Sequence, residues 1–167
     1  MLSTEWALRI SGIIPESIVD GPGFRYVIFT QGCPHHCPGC HNPQTHDFDG
    51  GTVITDGEKI LREIKENTLL AGVTFSGGEP FCQPAPLAEL AREIHAMGKN
   101  VFVYTGYTYE KLCEMAKNHL HIAALLKETD TLVDGPYIEA LRDLELRFRG
   151  SSNQRILDLR NTEQSFS

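Results

Sequence analysis

Short apolar strands alternate with amphipathic helices along this chain, and the strands run directly into loops of unusual composition. Residues 24–31, FRYVIFTQ, are rich in aromatic and β-branched side chains, follow the turn DGPG and end just before a cysteine cluster. A helix is predicted at TDGEKILREIKENT, where Thr55 and Glu58 have capping-box spacing and Ile60, Leu61 and Ile64 make an apolar stripe. The strand GVTFS then leads into GGEP. A second helix is predicted about from Ala85 to Met97, with Leu87, Leu90, Ala91 and Ile94 on one face and Gly98 as its stop. The strand NVFVYTGY, a helix about from Tyr109 to His119, a shorter helical piece around Ile122 to Lys127 and the strand TLVDG complete the pattern. Repeated βα alternation implies a mostly parallel sheet with helices packed on it.

Size then selects the architecture. A complete eightfold β/α barrel takes about 250 residues, and this chain has 167. The expectation is an α/β fold built as an incomplete, open (β/α) barrel, one domain over residues 1–167 with a tail from about residue 157 that frays. In such sheets ligands collect at the carboxyl ends of the strands. The cysteine loop, SGGEP, YTGY and VDGPY all follow strands, which points to one shared site. At 41% hydrophobic and 22% charged, the chain can bury a core without disulfides. A formal charge of -7 argues against a broad nucleic-acid or anionic-membrane surface, because such surfaces need clustered Lys and Arg. No apolar run approaches the ~18 residues of a membrane span, and the start lacks the features of a secretory signal. A cytosolic protein is expected, whose five cysteines are thiols or metal ligands.

Three of those cysteines fall in QGCPHHCPGCHNPQTH, residues 31–46, together with four histidines and three prolines. Cys33, Cys37 and Cys40 are separated by three and then two residues, close enough for one loop to wrap three thiolates around an inorganic centre. Structural zinc and ordinary electron-transfer Fe–S clusters take four protein ligands, and no fourth cysteine stands nearby. His41 is poorly placed beside Cys40, and His46 would have to close the site from further along the loop. A [4Fe-4S] cluster with one open iron explains the count best; a zinc site of three cysteines and one histidine is the competing reading.

The run VDGPGFRYVIFTQGCPHHCPGCHN resembles the N-terminal signature of radical S-adenosylmethionine enzymes, specifically the small glycyl-radical activases, and FSGGEP resembles their second motif. YTGYTYEKL and LVDGPYIEALRDLELRFRGSSNQ are similar to a narrower group, the anaerobic ribonucleoside-triphosphate reductase activating proteins. The matching segments run from about Val19 to Leu159. The resemblance implies that Cys33, Cys37 and Cys40 hold three irons while the amino and carboxylate groups of S-adenosyl-L-methionine chelate the fourth. One electron then splits the sulfonium, giving methionine and a 5'-deoxyadenosyl radical. Gly77, Gly78 and Glu79 would meet the methionine amino group, where a backbone without Cβ lets carbonyls approach closely; the plainer explanation is a strand-to-helix turn needing glycine for its shape.

The implied activity is abstraction of a hydrogen atom from a glycine Cα of a much larger anaerobic ribonucleotide reductase, with electrons from a flavodoxin-like or other one-electron donor. Many members carry an aromatic residue before the third cysteine to contact adenine, and Gly39 stands here, leaving the backbone of Gly39 to His41 and the His41 ring for that role. Pyruvate formate-lyase activases carry a lysine where Pro136 stands, which favours the reductase-activating group. Thr105 and Asp134 are candidates for the ribose. Alternatives are activation of another glycyl-radical enzyme such as pyruvate formate-lyase, small-molecule chemistry like that of deazapurine-forming radical enzymes, or a noncatalytic zinc-binding adaptor.

Outside these motifs the reading is plainer. His35 and His36 lie between cluster cysteines, where they tune potential, pass electrons or simply sit exposed. Cys82 and Cys113 read as small buried residues, and Tyr104, Tyr107 and Tyr109 as packing. Leu141 to Arg160 holds five arginines against three acids, a reversal of the overall charge that either docks the partner or forms a solvated surface.

Overall fold

The computed structural model describes residues 1–40 and 43–161. Seven strands and four helices follow in the order β1 (Leu8–Ser17), β2 (Phe24–Thr30), β3 (Thr52–Ile54), α1 (Gly57–Glu66), β4 (Leu70–Gly77), α2 (Pro84–Ala96), β5 (Asn100–Tyr104), α3 (Tyr109–Ala116), α4 (Leu120–Glu128), β6 (Thr131–Asp134) and β7 (Arg155–Asp158), with short 3-10 turns between some of them. They form one open sheet in the order β3-β1-β2-β4-β5-β6-β7. The pairs β2–β4, β4–β5 and β5–β6 are parallel. The pairs β1–β2, β1–β3 and β6–β7 are antiparallel, so β1 and β7 alone oppose the other five.

The four parallel strands are laid down in sequence order without a reversal. Right-handed crossovers repeated in one direction put every connecting helix on the same face of a sheet. That face carries the main core, in which Leu87, Leu90 and Ile94 of α2 meet Val73 and Phe75 of β4 and Leu125 and Leu126 of α4, all at 0% exposure. The other face is covered by loops: Phe102 of β5 meets Phe148, and the buried guanidinium of Arg25 lies over the Phe102 ring. Continuous burial from Arg25 to Ile28 follows from this double cover.

The helix ends obey ordinary capping chemistry. Asp56, one residue after the expected Thr55, caps α1 through the Lys59 N–H at 3.1 Å, and Glu58 instead accepts from the Leu2 N–H. Gly98 at φ +76 ends α2, with its N–H on the His95 carbonyl and that of Lys99 on Ile94. The expected helix to His119 stops at Ala116, and His119 starts α4 by accepting from the Ile122 N–H.

Three strands lie outside the sequence expectation. β1 contains Pro15, which sits where its register with β2 shifts between Ile14 and Ser17, the kind of irregularity that tolerates proline inside a sheet. β3 is only three residues long. β7 takes in the start of the expected frayed tail: it pairs with β6, Leu159 beyond it is 3% exposed, and Arg160 bonds Asp130, while residues 162–167 of that tail lie outside the described residues. Among the described residues, no helix is long and apolar enough to cross a membrane.

Candidate active site

The carboxyl ends of β2, β4, β5 and β6 meet at one edge of the sheet, and the loops that follow them surround a cavity of about 370 Å³. The first wall is the cysteine loop. Its base is pinned by Gly32 N–H to the Thr45 carbonyl (2.6 Å), Cys33 N–H to His46 (3.2 Å), and the Gln31 side-chain amide to the carbonyls of Gln44 and Asp47. Cys33, Cys37 and Cys40 all line the cavity. Burial, followed by the nearby Glu79 charge, pushes the Cys33 thiol up from its ordinary value despite N–H bonds from His35 and His36. A thiol in that setting is not a free reactive nucleophile and becomes a thiolate when a metal stabilises it. Among the described residues no three His, Cys, Asp or Glu side chains converge to hold a single metal ion. A cluster asks for less convergence, because each thiolate takes a different iron.

The second wall comes from β4. Gly77 has φ +92, and a Cβ on it would lie 2.6 Å from the backbone N and O of Thr30; one on Gly78 would lie 2.4 Å from the Gly32 carbonyl oxygen. Close apposition of the β4 and β2 ends therefore demands both glycines, whatever binds in front of them. Glu79 is fully buried, and its carboxylate is taken up by the chain itself. It accepts from Thr105 Oγ1 (2.9 Å to each oxygen), the Gly106 N–H (2.8 Å) and the Phe81 N–H (2.9 Å), and it pairs with His35 Nε2 at 2.7 Å. Since a carboxylate only accepts, His35 carries its proton on Nε2.

Glu79 thus ties the cysteine loop, the β4 end and the β5 end into one unit. His35, read from the sequence as a tuning or exposed residue, is part of that unit: its ring meets Tyr107 edge-on at 4.6 Å, and Gly106 leaves room for it, because a Cβ there would fall 2.3 Å from His35 Cδ2. Burial pushes the Tyr107 hydroxyl up to about 12.

The remaining candidates separate. Thr105 lines the cavity, with its hydroxyl directed to Glu79. Asp134 is fully buried, and its carboxylate is spent on Arg155 (Nε 3.0 Å, Nη2 2.5 Å) and on the Tyr109 N–H that opens α3. Gly135, the next residue, is the one that reaches the cavity. Gly39, at φ +74, faces the Glu139 carboxylate, which fills the volume an aromatic side chain would need. His41 lies outside the described residues. Cys82 is exposed and Cys113 only half-buried, contrary to the expectation that both are buried.

The sequence reading missed the far wall. Val19 and Asp20 from the VDGPG turn line the cavity, and so do Leu146, Phe148, Arg149, Gly150 and Gln154. RGSSNQ is a self-bonded turn: Gln154 Oε1 accepts from the N–H groups of Gly150 (2.8 Å) and Ser151 (3.2 Å), while Asn153 and Gln154 donate to the carbonyls of Pro136 and Gly135. Its density of short polar residues is the signal that could have marked it as a built loop.

Known proteins give this geometry a context. The family described as "4Fe-4S single cluster domain" matches residues 19–157. An anaerobic ribonucleoside-triphosphate reductase-activating protein of Salmonella typhimurium is 36% identical over 160 residues, covering 92% of this chain and 100% of that protein. The protein of the same description from Escherichia coli K12 is 36% identical over 153 residues, covering 87% and 96%. The crystal structure of QueE from Escherichia coli superposes with a TM-score of 0.48 at 17% identity, over 62% of this chain and 54% of QueE.

Proposed function

The chain belongs to the anaerobic ribonucleoside-triphosphate reductase-activating proteins and contains a 4Fe-4S single-cluster domain; from that premise we propose that it binds S-adenosylmethionine in the cavity, cleaves it reductively, and so creates a glycyl radical on an anaerobic ribonucleotide reductase. The observation that carries the reading is the convergence of three cysteines, two glycines and four strand ends on one cavity. Its size is at the lower end of the range for small-molecule sites.

Cys33, Cys37 and Cys40 are the residues that hold the cluster. When bound, the cluster supplies one electron and an iron position that no cysteine fills. The chain's own residues do the rest. Gly77 and Gly78 let backbone approach the methionine amino group, a role that falls to carbonyls because the Glu79 carboxylate is already engaged. Gly39 and His41 remain the proposed adenine contacts and Thr105 the proposed ribose contact; for Asp134 a positioning role through Arg155 and α3 fits better than direct contact. No general acid or base is needed for homolytic chemistry, so the protein's part is ligation, orientation and exclusion of competing reactions.

The one-domain reading and the incomplete-barrel reading belong to the same proposal: strands wound in one direction, with helices on one face and loops on the other, leave the cavity at the carboxyl ends of the strands as the place where a protein loop would enter. A flavodoxin-like protein is the proposed electron donor. The test is 5'-deoxyadenosine formation by anaerobically reconstituted, reduced protein beside a Cys37→Ala control. Product from the native chain alone supports the reading; no product, with zinc bound and no sulfide, would turn it toward a zinc adaptor.

A further inference from the structure

Buried polar side-chain atoms nearly always find a partner, and each exception calls for an explanation. Among the described residues only two buried side-chain nitrogen or oxygen atoms have none: His46 Nε2 and Arg149 Nε. Both residues line the same cavity. His46 stands beside the cysteine loop, its ring edge-on to His36 at 5.0 Å. Arg149 stands on the opposite wall and is the only lysine or arginine among the described residues lining the cavity.

The chain takes pains to place Arg149. Phe148, directly before it, has φ +60, a left-handed conformation that is costly for a bulky residue. Its ring packs edge-on to Phe102 at 6.0 Å, which holds the strained backbone in place. Gly150, directly after, donates to Gln154 Oε1 at 2.8 Å, and Arg149 Nη1 donates to the Gln154 carbonyl at 3.1 Å. One corner of the guanidinium is thereby fixed to the RGSSNQ turn. The edge formed by Nε and Nη2 is the one a carboxylate meets side-on with two parallel bonds.

Resting on the function proposed above, we infer that Arg149 binds the carboxylate of S-adenosylmethionine and is the residue that selects for it. A single guanidinium matches a single carboxylate; a phosphate or polyphosphate would call for more cationic side chains than the cavity offers. The loop after β6 lines the cavity with Gly135 and Tyr137, neither of them a cation, so the positive charge reaches the cavity from the RGSSNQ turn and not from that loop.

The test is anaerobic equilibrium dialysis of cluster-reconstituted protein with S-adenosylmethionine and, in parallel, with decarboxylated S-adenosylmethionine. Arg149→Gln is expected to weaken S-adenosylmethionine binding about ten- to hundredfold, the usual value of a charge-assisted bond, while the decarboxylated ligand changes by less than about threefold. Iron and sulfide content stay at the native level, and Arg149→Lys falls between Arg149→Gln and the native chain. Unchanged S-adenosylmethionine affinity in Arg149→Gln, or equal loss for both ligands, overturns the inference and leaves the proposed function standing. Absence of S-adenosylmethionine binding by the native chain overturns the proposed function itself.

Discussion

Replacing Glu79 by glutamine separates a scaffolding carboxylate from one that serves only a ligand. The carboxylate of Glu79 is fully buried and receives the Phe81 N–H on Oε2, the Gly106 N–H and His35 Nε2 on Oε1, and the Thr105 hydroxyl on both. An amide must turn its NH2 toward one side. Facing Phe81 it leaves that N–H unpaired; facing Gly106 and His35 it leaves two donors unpaired. The cheaper orientation costs about 1–3 kcal/mol for one orphaned buried donor, and the bonds that remain lose their charge assistance, so about 3 kcal/mol in all is expected. The assay is urea unfolding of metal-free, reduced protein followed by far-ultraviolet circular dichroism, with no S-adenosylmethionine present. A shift in midpoint corresponding to about 3 kcal/mol, at unchanged slope, is the expected outcome. A difference below about 0.5 kcal/mol would refute the reasoning, because a residue reserved for the ligand costs nothing when the ligand is absent.

Three further outcomes follow from the same geometry. Gly78→Ala would drive a Cβ to 2.4 Å from the Gly32 carbonyl oxygen, so a loss of about 1–3 kcal/mol is expected in the same unfolding assay; native-like stability would show that the β2 and β4 ends can part at no cost. Arg155→Met leaves the buried Asp134 carboxylate with the Tyr109 N–H alone, and about 2–3 kcal/mol should be lost after discounting for the half-exposed guanidinium; no change would mean that β7 is dispensable. Burial pulls the Asp130 carboxyl upward, but bonds from His95, the Val101 N–H and Arg160 outweigh it and hold the group below its ordinary value. A depressed folded value stabilises above the unfolded pKa, about 4, and the gain disappears as pH falls through the folded value. Asp130→Asn should therefore be less stable than the native chain at pH 7, with the gap closing below about pH 4; a pH-independent gap measured by thermal unfolding would contradict this.

The parallel half of the fold was legible because its strands announce themselves. FRYVIFT, GVTFS and NVFVY are short runs dominated by aromatic and β-branched residues, each is followed by a turn sequence, and amphipathic helices separate them. The antiparallel margins were not. Pro15 and Gly12 disguise β1 as a loop, and the bulge that accommodates the proline exists only once β2 is alongside. RILD is too short and too charged to read as a strand until β6 offers it partners. In the site, cysteine spacing and GGEP marked two walls at once. Glu79 was credited with a ligand contact because its four donors come from residues two to 44 positions away, invisible without the fold. Arg149 carried the opposite difficulty: among five arginines in a charged segment, nothing local distinguished the one that turns inward.

The central claim is that this chain leaves a radical on a glycine of another protein. The most direct measurement mixes the anaerobically reconstituted, reduced chain with S-adenosylmethionine and a purified anaerobic ribonucleoside-triphosphate reductase, and records the electron paramagnetic resonance spectrum of the reductase after the two are separated. A glycine-centred doublet, dependent on S-adenosylmethionine and missing when Cys37→Ala replaces the native chain, is the result predicted. Cleavage of S-adenosylmethionine with no radical on the reductase would contradict it.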